Sequence, residues 1–233
     1  MAEPLLLIPG LMCTAALFEP QVTAFSDDRQ VIVADHTGAD DMPTIASQIL
    51  AEAPPRFALA GLSMGVYLAL EITSLAPDRV TRLALLDGKA RPDTADELAA
   101  RKGLLKMADE GRYLNITYDI LLSRLVAAGR SLEPELRDTI IQMATDTGVA
   151  VFRRQMAAII NRRNYLAELP NISCPTLVLT GEVDEITPPE YARETAGRIP
   201  HARLVLIPGC GHLCTLEAPD TVNLAMRSWL DEM

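Results

Sequence analysis

Short apolar runs recur along most of the chain, and longer stretches with helical character separate them. Apolar runs of four to eight residues that end at Gly, Pro or polar residues are typical of buried β-strands. Because strands that alternate with helices form βαβ units, the sequence predicts an α/β fold: a mostly parallel sheet of about six strands with helices on both faces. The predicted strands are Leu5–Ile8, Gln30–Ala34, Phe57–Ala60, Val80–Leu86, Thr176–Thr180 and Arg203–Ile207.

Helices are predicted between and after these strands. The stretch Val66–Leu75 is apolar on nearly every side, which predicts a helix buried against the sheet. Pro43 is expected at the start of the second helix, because Pro is favoured in a first helical turn. The helices predicted outside the middle of the chain are Ala15–Ala24, Thr44–Glu52, Val66–Leu75, Pro188–Arg198 and Asp220–Asp231.

Residues 88–170 interrupt this alternation, because they contain no strand-like run. We therefore predict an α/β core of residues 1–87 and 171–233, with residues 88–170 as an all-helical cap or lid over the carboxyl edge of the sheet, where open α/β sheets bind ligands. The alternative is a helical excursion packed on the side of the core. The helices predicted in this insertion are Thr94–Glu110, Tyr113–Val126, Pro134–Thr145 and Val149–Arg163.

The chain has 233 residues, of which 49% are hydrophobic and 22% charged, as in a globular domain near the upper size for a single core. Its net charge of −10 argues against a nucleic-acid partner. The insertion has 13 Lys and Arg against 11 Asp and Glu, whereas the remainder has 8 against 20. No stretch is long enough for a membrane span, and the first residues lack a basic leader. We expect a cytoplasmic protein with a small-molecule substrate and no membrane partner.

Four cysteines are present, and in a cytoplasmic chain free thiols are expected. Cys210 and Cys214 bracket His212, so a metal site has to be considered. The spacing Cys-x-His-x-Cys fits no common zinc pattern, and no fourth ligand is evident. We therefore expect neither a metal nor another cofactor.

The segment Gly61-Leu62-Ser63-Met64-Gly65 has the pattern Gly-x-Ser-x-Gly between a predicted strand and a predicted helix. In that context the pattern predicts a nucleophile elbow, a sharp turn that exposes the serine hydroxyl. Side chains at the two glycines would collide with neighbouring chain. The alternative is a turn whose serine only caps the helix.

A serine hydroxyl needs a base to become a nucleophile. His212 lies in a glycine-rich loop directly after the last predicted strand, at the same sheet edge as Ser63. His201 precedes that strand and therefore lies at the opposite edge, and His36 has no comparable loop. We interpret His212 as the base and the other two as ordinary histidines.

The base in turn needs a carboxylate that fixes its tautomer. Asp184 follows the fifth predicted strand, and the order Ser63, Asp184, His212 matches the order typical of a triad on this type of sheet. Glu182 and Glu185 lie in the same loop and are interpreted as solvated. Asp87, at the end of the fourth strand, is the alternative acid, because it would also reach the histidine.

The negative charge that develops on a carbonyl oxygen needs preorganised donors. One expected donor is the backbone N–H of Met64, at the start of the helix after the nucleophile. The other is expected from the loop after the first strand, at Leu11 or alternatively at Met12.

With these three motifs, and with Leu216-Glu217-Ala218-Pro219 after the histidine loop, the chain resembles the α/β-hydrolase superfamily, in particular small bacterial serine hydrolases with a helical cap. The resemblance covers nearly the whole chain and implies a Ser–Asp–His triad that works through an acyl-enzyme. Many members carry His-Gly in the oxyanion loop, whereas this chain has Pro9-Gly10.

Three functions remain open at this point. The leading hypothesis is a hydrolase of small carboxylic esters or lactones. The same triad also serves C–C bond hydrolysis, enol-lactone opening or cofactor-free perhydrolysis. The alternative of another class is a hydrolase-fold receptor that holds a ligand under its cap; the intact triad favours an enzyme.

Substrate contacts are expected from Met12 and from the arginines of the last predicted cap helix, represented by Arg153 and Arg162. An arginine there would clamp a substrate carboxylate bidentately. The alternative is that these arginines form a solvated face or salt bridges and that Met12 is core.

Overall fold

A single sheet of six strands forms the centre of the computed structural model, which describes residues 2–231. All five pairings between neighbouring strands are parallel, and the strand order is β2-β1-β3-β4-β5-β6. The predicted α/β class is confirmed. The strands are β1 (Leu5–Ile8), β2 (Val31–Val33), β3 (Phe57–Leu62), β4 (Val80–Leu86), β5 (Thr176–Gly181) and β6 (Arg203–Ile207).

Helices cover both faces of this sheet. In β1, Leu6 and Ile8 pack into one core, and Leu5 and Leu7 pack into the other, because successive strand side chains point to opposite faces. Both cores also contain helical side chains. The helices are α1 (Glu19–Phe25), α2 (Met42–Glu52), α3 (Met64–Leu75), α4 (Ala95–Asp109), α5 (Tyr113–Asn115), α6 (Leu122–Leu125), α7 (Pro134–Ile160), α8 (Pro189–Arg198), α9 (Cys214–Glu217) and α10 (Pro219–Asp231).

The register of the strands aligns their carboxyl ends. Ile8 lies opposite Gly61, Leu62 opposite Leu86, and Leu86 opposite Leu179. Parallel pairing therefore places the loops after β1, β3, β4 and β5 at one edge of the sheet. The predicted site residues outside the insertion come from these loops and from the loop after β6.

The helix α3 starts directly after β3 and is buried nearly all round, as its apolar sequence predicted. It packs against β3 and α2 in the core that contains Leu6 and Ile8. A helix fixed in this way gives the strand-to-helix turn at Ser63 a rigid support on both sides.

Residues between β4 and β5 form the predicted helical insertion. Its first helix, α4, begins at a capping box in which Thr94 and Glu97 satisfy each other's backbone N–H groups. The predicted break before Val149 is present, because Gly148 has non-helical angles (φ 72°, ψ 161°) inside α7. The proposed division into core and cap domains stays a prediction.

Two predicted helices are not continuous α-helices. The stretch Tyr113–Val126 contains α5, then a π-helical turn over Ile116–Leu121, then α6. The stretch Ala15–Ala24 begins as a 3₁₀ turn over Ala15–Phe18 and continues as α1. In the second case Pro20 lies in the first turn of α1, where a missing N–H is tolerated, so the α-helix starts later than predicted. Within residues 2–231, no helix combines the length and the apolar character that crossing a bilayer requires.

Candidate active site

The turn between β3 and α3 holds Ser63 in a strained conformation, with φ 56° and ψ −112°. The two glycines of the motif allow this turn. A Cβ atom at Gly61 would lie 2.1 Å from the carbonyl oxygen of Gly65, and one at Gly65 would lie 2.0 Å from that of Ile8. Contacts this short exclude any side chain, so the Gly-x-Ser-x-Gly pattern follows from close backbone approach.

Ser63, His212 and Asp184 form one chain of hydrogen bonds. Nε2 of His212 lies 2.9 Å from Oγ of Ser63, and Nδ1 of His212 lies 2.8 Å from Oδ2 of Asp184. Since an ionised carboxylate only accepts, the proton of a neutral His212 belongs on Nδ1. Nε2 is then free to accept a proton from the serine hydroxyl. The side chains of His212 and Asp184 are buried, whereas Ser63 is partly exposed.

Asp184 is oriented by the loop that carries it. Its Oδ1 accepts from the backbone N–H groups of Ile186 (2.8 Å) and Thr187 (2.9 Å), and its Oδ2 accepts from the Thr187 hydroxyl (2.8 Å). Burial alone would raise the pKa of Asp184, but His212 and these donors outweigh it and lower the pKa. The carboxylate is therefore held ionised against the histidine.

Burial likewise opposes charge on His212, yet the pKa of its imidazole is raised. The neighbouring carboxylates, chiefly Asp184, favour the imidazolium more strongly than burial disfavours it. An imidazole held in this way readily accepts a proton in a transition state.

Asp87, the alternative acid, is buried in the same region but makes different contacts. Its Oδ1 accepts from the backbone N–H of Gly181 (3.0 Å), and its Oδ2 accepts from that of Cys214 (3.2 Å). Burial, followed by repulsion from Asp184, raises the pKa of Asp87 to about 7. Asp87 thus joins the end of β5 to the start of α9, while Asp184 contacts the imidazole of His212.

The loop after β1 lies against the serine. A Cβ atom at Gly10 would lie 3.3 Å from Cβ of Ser63, so a glycine lets this loop approach. The next N–H, that of Leu11, has no hydrogen-bond partner among the described residues. The same holds for the N–H of Met64, as expected for the first residue of a helix. Both predicted donors, the N–H groups of Leu11 and Met64, are therefore available to form hydrogen bonds.

The N–H of Met12 is not free, because it donates to Oε1 of Gln155 over 3.1 Å. Nε2 of Gln155 lies 3.0 Å from Nε2 of His36, which also lies 3.0 Å from the carbonyl oxygen of Gly10. Burial lowers the pKa of His36, which keeps the ring neutral. From the sequence, His36 was interpreted as an ordinary histidine, and Gln155 was not predicted to be a site residue. The two residues brace the oxyanion loop; only the position of His36 after β2 offered a signal.

The insertion also contacts the histidine loop. The carbonyl oxygen of Leu125 accepts from the backbone N–H groups of both His212 (3.0 Å) and Leu213 (3.1 Å). Glu217, buried nearby, accepts from the N–H of Gly211 (3.0 Å) and from that of Ala127 (2.8 Å). The backbone around His212 is thus fastened to the insertion by two direct hydrogen bonds and by one shared carboxylate.

A cavity opens above Ser63 between the sheet edge and the insertion. Most of its lining is apolar, and its charged members come from the start and middle of the insertion. The lining includes Leu11, Met12, Ser63, Met64, Lys89, Glu97, Arg101, Leu104, Leu121, Arg124, Ile140, Met143 and His212.

Of the three predicted substrate contacts, only Met12 lines this cavity. Arg153 is exposed and pairs with Asp109 at 2.9 Å. Arg162 is buried, donates to Asp93 at 2.7 Å and stacks over the ring of Tyr67. The structure therefore places both arginines in salt bridges outside the lining, as the alternative interpretation of the sequence had it.

Known proteins resemble this chain in sequence and in fold. The sequence profile of the Alpha/beta hydrolase family matches residues 5–225. BpoC of Mycobacterium tuberculosis, whose name is that of a non-heme bromoperoxidase, is 32% identical over 185 residues, which are 75% of this chain and 67% of BpoC. The (E)-2-((N-methylformamido)methylene)succinate hydrolase of Acinetobacter baylyi is 26% identical over 98% of this chain and 90% of its own. Among solved structures, a malate-bound thermophilic esterase from Thermogutta terrifontis superposes with a TM-score of 0.90 at 29% identity, over 99% of this chain and 90% of the esterase.

Proposed function

This chain belongs to the alpha/beta hydrolase family, and we propose that it is a serine hydrolase that cleaves small carboxylic esters or lactones through an acyl-enzyme. The observation that carries the proposal is the hydrogen-bonded chain from Ser63 through His212 to Asp184, with 2.9 Å and 2.8 Å between the paired atoms. A serine that is hydrogen-bonded to a histidine and a carboxylate in this order is activated for attack on a carbonyl carbon.

In the first half-reaction, Oγ of Ser63 attacks the carbonyl carbon while Nε2 of His212 takes the hydroxyl proton. The carbonyl oxygen becomes an oxyanion and accepts hydrogen bonds from the N–H groups of Leu11 and Met64. His212, now an imidazolium stabilised by Asp184, gives its proton to the leaving alkoxide. The C–O bond breaks and an ester of Ser63 remains.

In the second half-reaction, a water molecule takes the place of the alcohol. Nε2 of His212 accepts a proton from the water as the water oxygen attacks the acyl carbon. The proton then passes to Oγ of Ser63 as the acyl C–O bond breaks, which releases the acid and restores the site.

A small substrate is supported by two of the similar proteins. The Thermogutta terrifontis esterase is described with bound malate, and the Acinetobacter baylyi hydrolase is named for a substituted succinate. We also propose that residues 88–170 act as a cap that selects the substrate, since this insertion contributes about half of the residues that line the cavity above Ser63.

The proposal is tested by labelling with a fluorophosphonate, located by mass spectrometry, and by hydrolysis of p-nitrophenyl acetate. We expect labelling at Ser63, and a fall in kcat/KM of about 10⁴-fold or more in Ser63→Ala. Ser47→Ala, which changes an exposed serine on α2, is the matched control. A well-folded protein that neither labels nor turns over would exclude a serine hydrolase and favour the ligand receptor. Parallel assays with a β-diketone and an enol-lactone test the C–C hydrolase and enol-lactonase alternatives.

A further inference from the structure

The cavity lining is positively charged in a chain that is strongly negative. Its charged residues are three cations, Lys89, Arg101 and Arg124, and one anion, Glu97, whereas the whole chain has a net charge of −10. Two of the cations are neutralised. Nζ of Lys89 lies 2.5 Å from Glu97 and 3.1 Å from Asp93, and Nε of Arg101 lies 2.6 Å from Asp93.

Arg124 is the cation of the lining without a carboxylate partner: within residues 2–231, no carboxylate oxygen lies within 4 Å of its guanidinium nitrogens. One NH₂ group donates to the backbone carbonyl oxygen of Glu185 at 3.0 Å. That bond uses one of five N–H donors, so the fork that a carboxylate accepts remains available. The bond also holds the side chain beside the loop that carries Asp184.

The position of Arg124 relates it to the reacting groups. The carbonyl oxygen of the next residue, Leu125, accepts from the N–H groups of His212 and Leu213. The backbone of Arg124 is therefore adjacent to that of His212, and its side chain is tethered to the acid loop. An anion bound by Arg124 would lie on the histidine side of the cavity, whose lining also includes Ser63.

The remainder of the lining indicates the rest of the ligand. Leu104, Leu121, Ile140 and Met143 come from the insertion and face the same cavity. Apolar walls with few polar groups orient a ligand by its polar end and accommodate a hydrocarbon body. Because Lys89 and Arg101 are paired with carboxylates, Arg124 is the lining charge that favours an anion in the cavity, although the protein as a whole repels anions.

We propose that Arg124 is a specificity residue that binds a free carboxylate on the substrate. The substrate class is then small esters or lactones that carry a second, unesterified carboxylate and an otherwise apolar body. This inference rests on the proposed ester hydrolysis and names its substrate class. It assigns to Arg124 the role that the sequence had suggested for Arg153 or Arg162.

The test compares esters matched in shape but not in charge. Monoethyl succinate is paired with ethyl 4-methylpentanoate, and acetoxyacetate with isobutyl acetate, so that an isopropyl group replaces the carboxylate on either side of the ester. Arg124 is exposed, so solvent weakens its pairing with an anion. We therefore expect kcat/KM in at least one pair to favour the charged ester by about 2- to 5-fold, the range for an exposed ion pair. In Arg124→Gln this ratio falls to about one, and in Arg124→Lys it takes an intermediate value.

Arg153→Gln is the matched control, because it removes a guanidinium from the insertion outside the cavity and should leave the ratio unchanged. Thermal unfolding verifies that each variant is folded. Any one of three results would overturn the inference. The parent protein could hydrolyse both members of each pair with equal kcat/KM, the preference for the charged ester could persist in Arg124→Gln, or Arg153→Gln could lose that preference to the same extent as Arg124→Gln. If p-nitrophenyl acetate is hydrolysed in those cases, only the substrate class is wrong. If no ester is hydrolysed, the proposed function fails as well.

Discussion

Replacing Gln155 with methionine tests whether the insertion shapes the oxyanion loop. Methionine has a similar length but no hydrogen-bonding oxygen, so Gln155→Met removes the acceptor for the N–H of Met12. Both residues are buried, Gln155 completely and Met12 to all but 5%. A buried N–H without a partner costs about 1–3 kcal/mol.

This cost either lowers the free energy of unfolding or is relieved when the loop after β1 moves. We predict movement, because Met12 has a positive φ of 59°, which costs a non-glycine residue about 1–2 kcal/mol and needs support. Without Gln155 the loop relaxes, and the N–H of Leu11, one residue earlier, leaves its position beside Ser63. If the full energy acts on the transition state, kcat falls about 5- to 150-fold.

The assay measures kcat and KM separately with p-nitrophenyl acetate, together with inhibition by a trifluoromethyl ketone that forms a tetrahedral adduct. We expect kcat and inhibitor affinity to fall while KM changes little, because the oxyanion contacts strengthen only in the transition state. Gln155→Glu keeps an acceptor for Met12 and should recover part of the activity. Gln142→Met, on the exposed side of α7, is the matched control.

Thermal unfolding separates the two outcomes. If Gln155→Met lowered Tm by about 2–12 °C and left kcat unchanged, Gln155 would be only structural, and the position of the Leu11 N–H would not depend on it.

Three further predictions concern the sheet edge. The pH profile of kcat/KM should fall on acidification with an inflection above about 6.5, the usual pKa of histidine, because the base must be neutral and Asp184 raises the pKa of His212; an inflection below about 6 in a pH–rate measurement would contradict this. Gly65→Ala should destabilise the fold by about 3 kcal/mol in urea unfolding, since the added Cβ would meet the oxygen of Ile8 at 2.0 Å; an unchanged midpoint would show that the elbow has room. Glu217→Gln keeps one acceptor oxygen but turns an amide NH₂ towards one of the two backbone N–H groups that Glu217 accepts from. We therefore expect the free energy of unfolding to fall by about 1–3 kcal/mol and kcat to fall as well. If both quantities kept their wild-type values, Glu217 would have no role in holding the histidine loop.

The sheet and the serine turn were predictable because they depend on local sequence. An apolar run such as Val80–Leu86 has few alternatives to a buried strand, and the close contacts at Gly61 and Gly65 permit no other residue. The order of the three predicted catalytic residues was likewise readable, because each lies in the turn or loop that follows a strand. Their placement at one edge needs only the parallel register.

Contacts made by the insertion were not predictable in the same way. The arginines at 153 and 162 were chosen by residue type, but pairing with Asp109 and Asp93 decides their environment. Arg124 lies in a stretch predicted as one continuous helix, whereas a π-helical turn precedes it and alters the direction of the side chains that follow. Such positions depend on how distant segments pack, which residue patterns do not encode locally.

The insertion holds both loops of the proposed catalytic machinery, through Gln155 on one side and Leu125 on the other. It is therefore not a detachable module that could be exchanged to retune specificity while the chemistry stays constant. In a chimera that receives the corresponding segment of a relative, the new segment would have to supply an amide oxygen that accepts from the N–H of Met12. It would also have to supply a backbone carbonyl oxygen that accepts from the N–H of His212. Without these two acceptors, the chimera would keep its sheet and its serine turn, but we expect it to hydrolyse esters slowly.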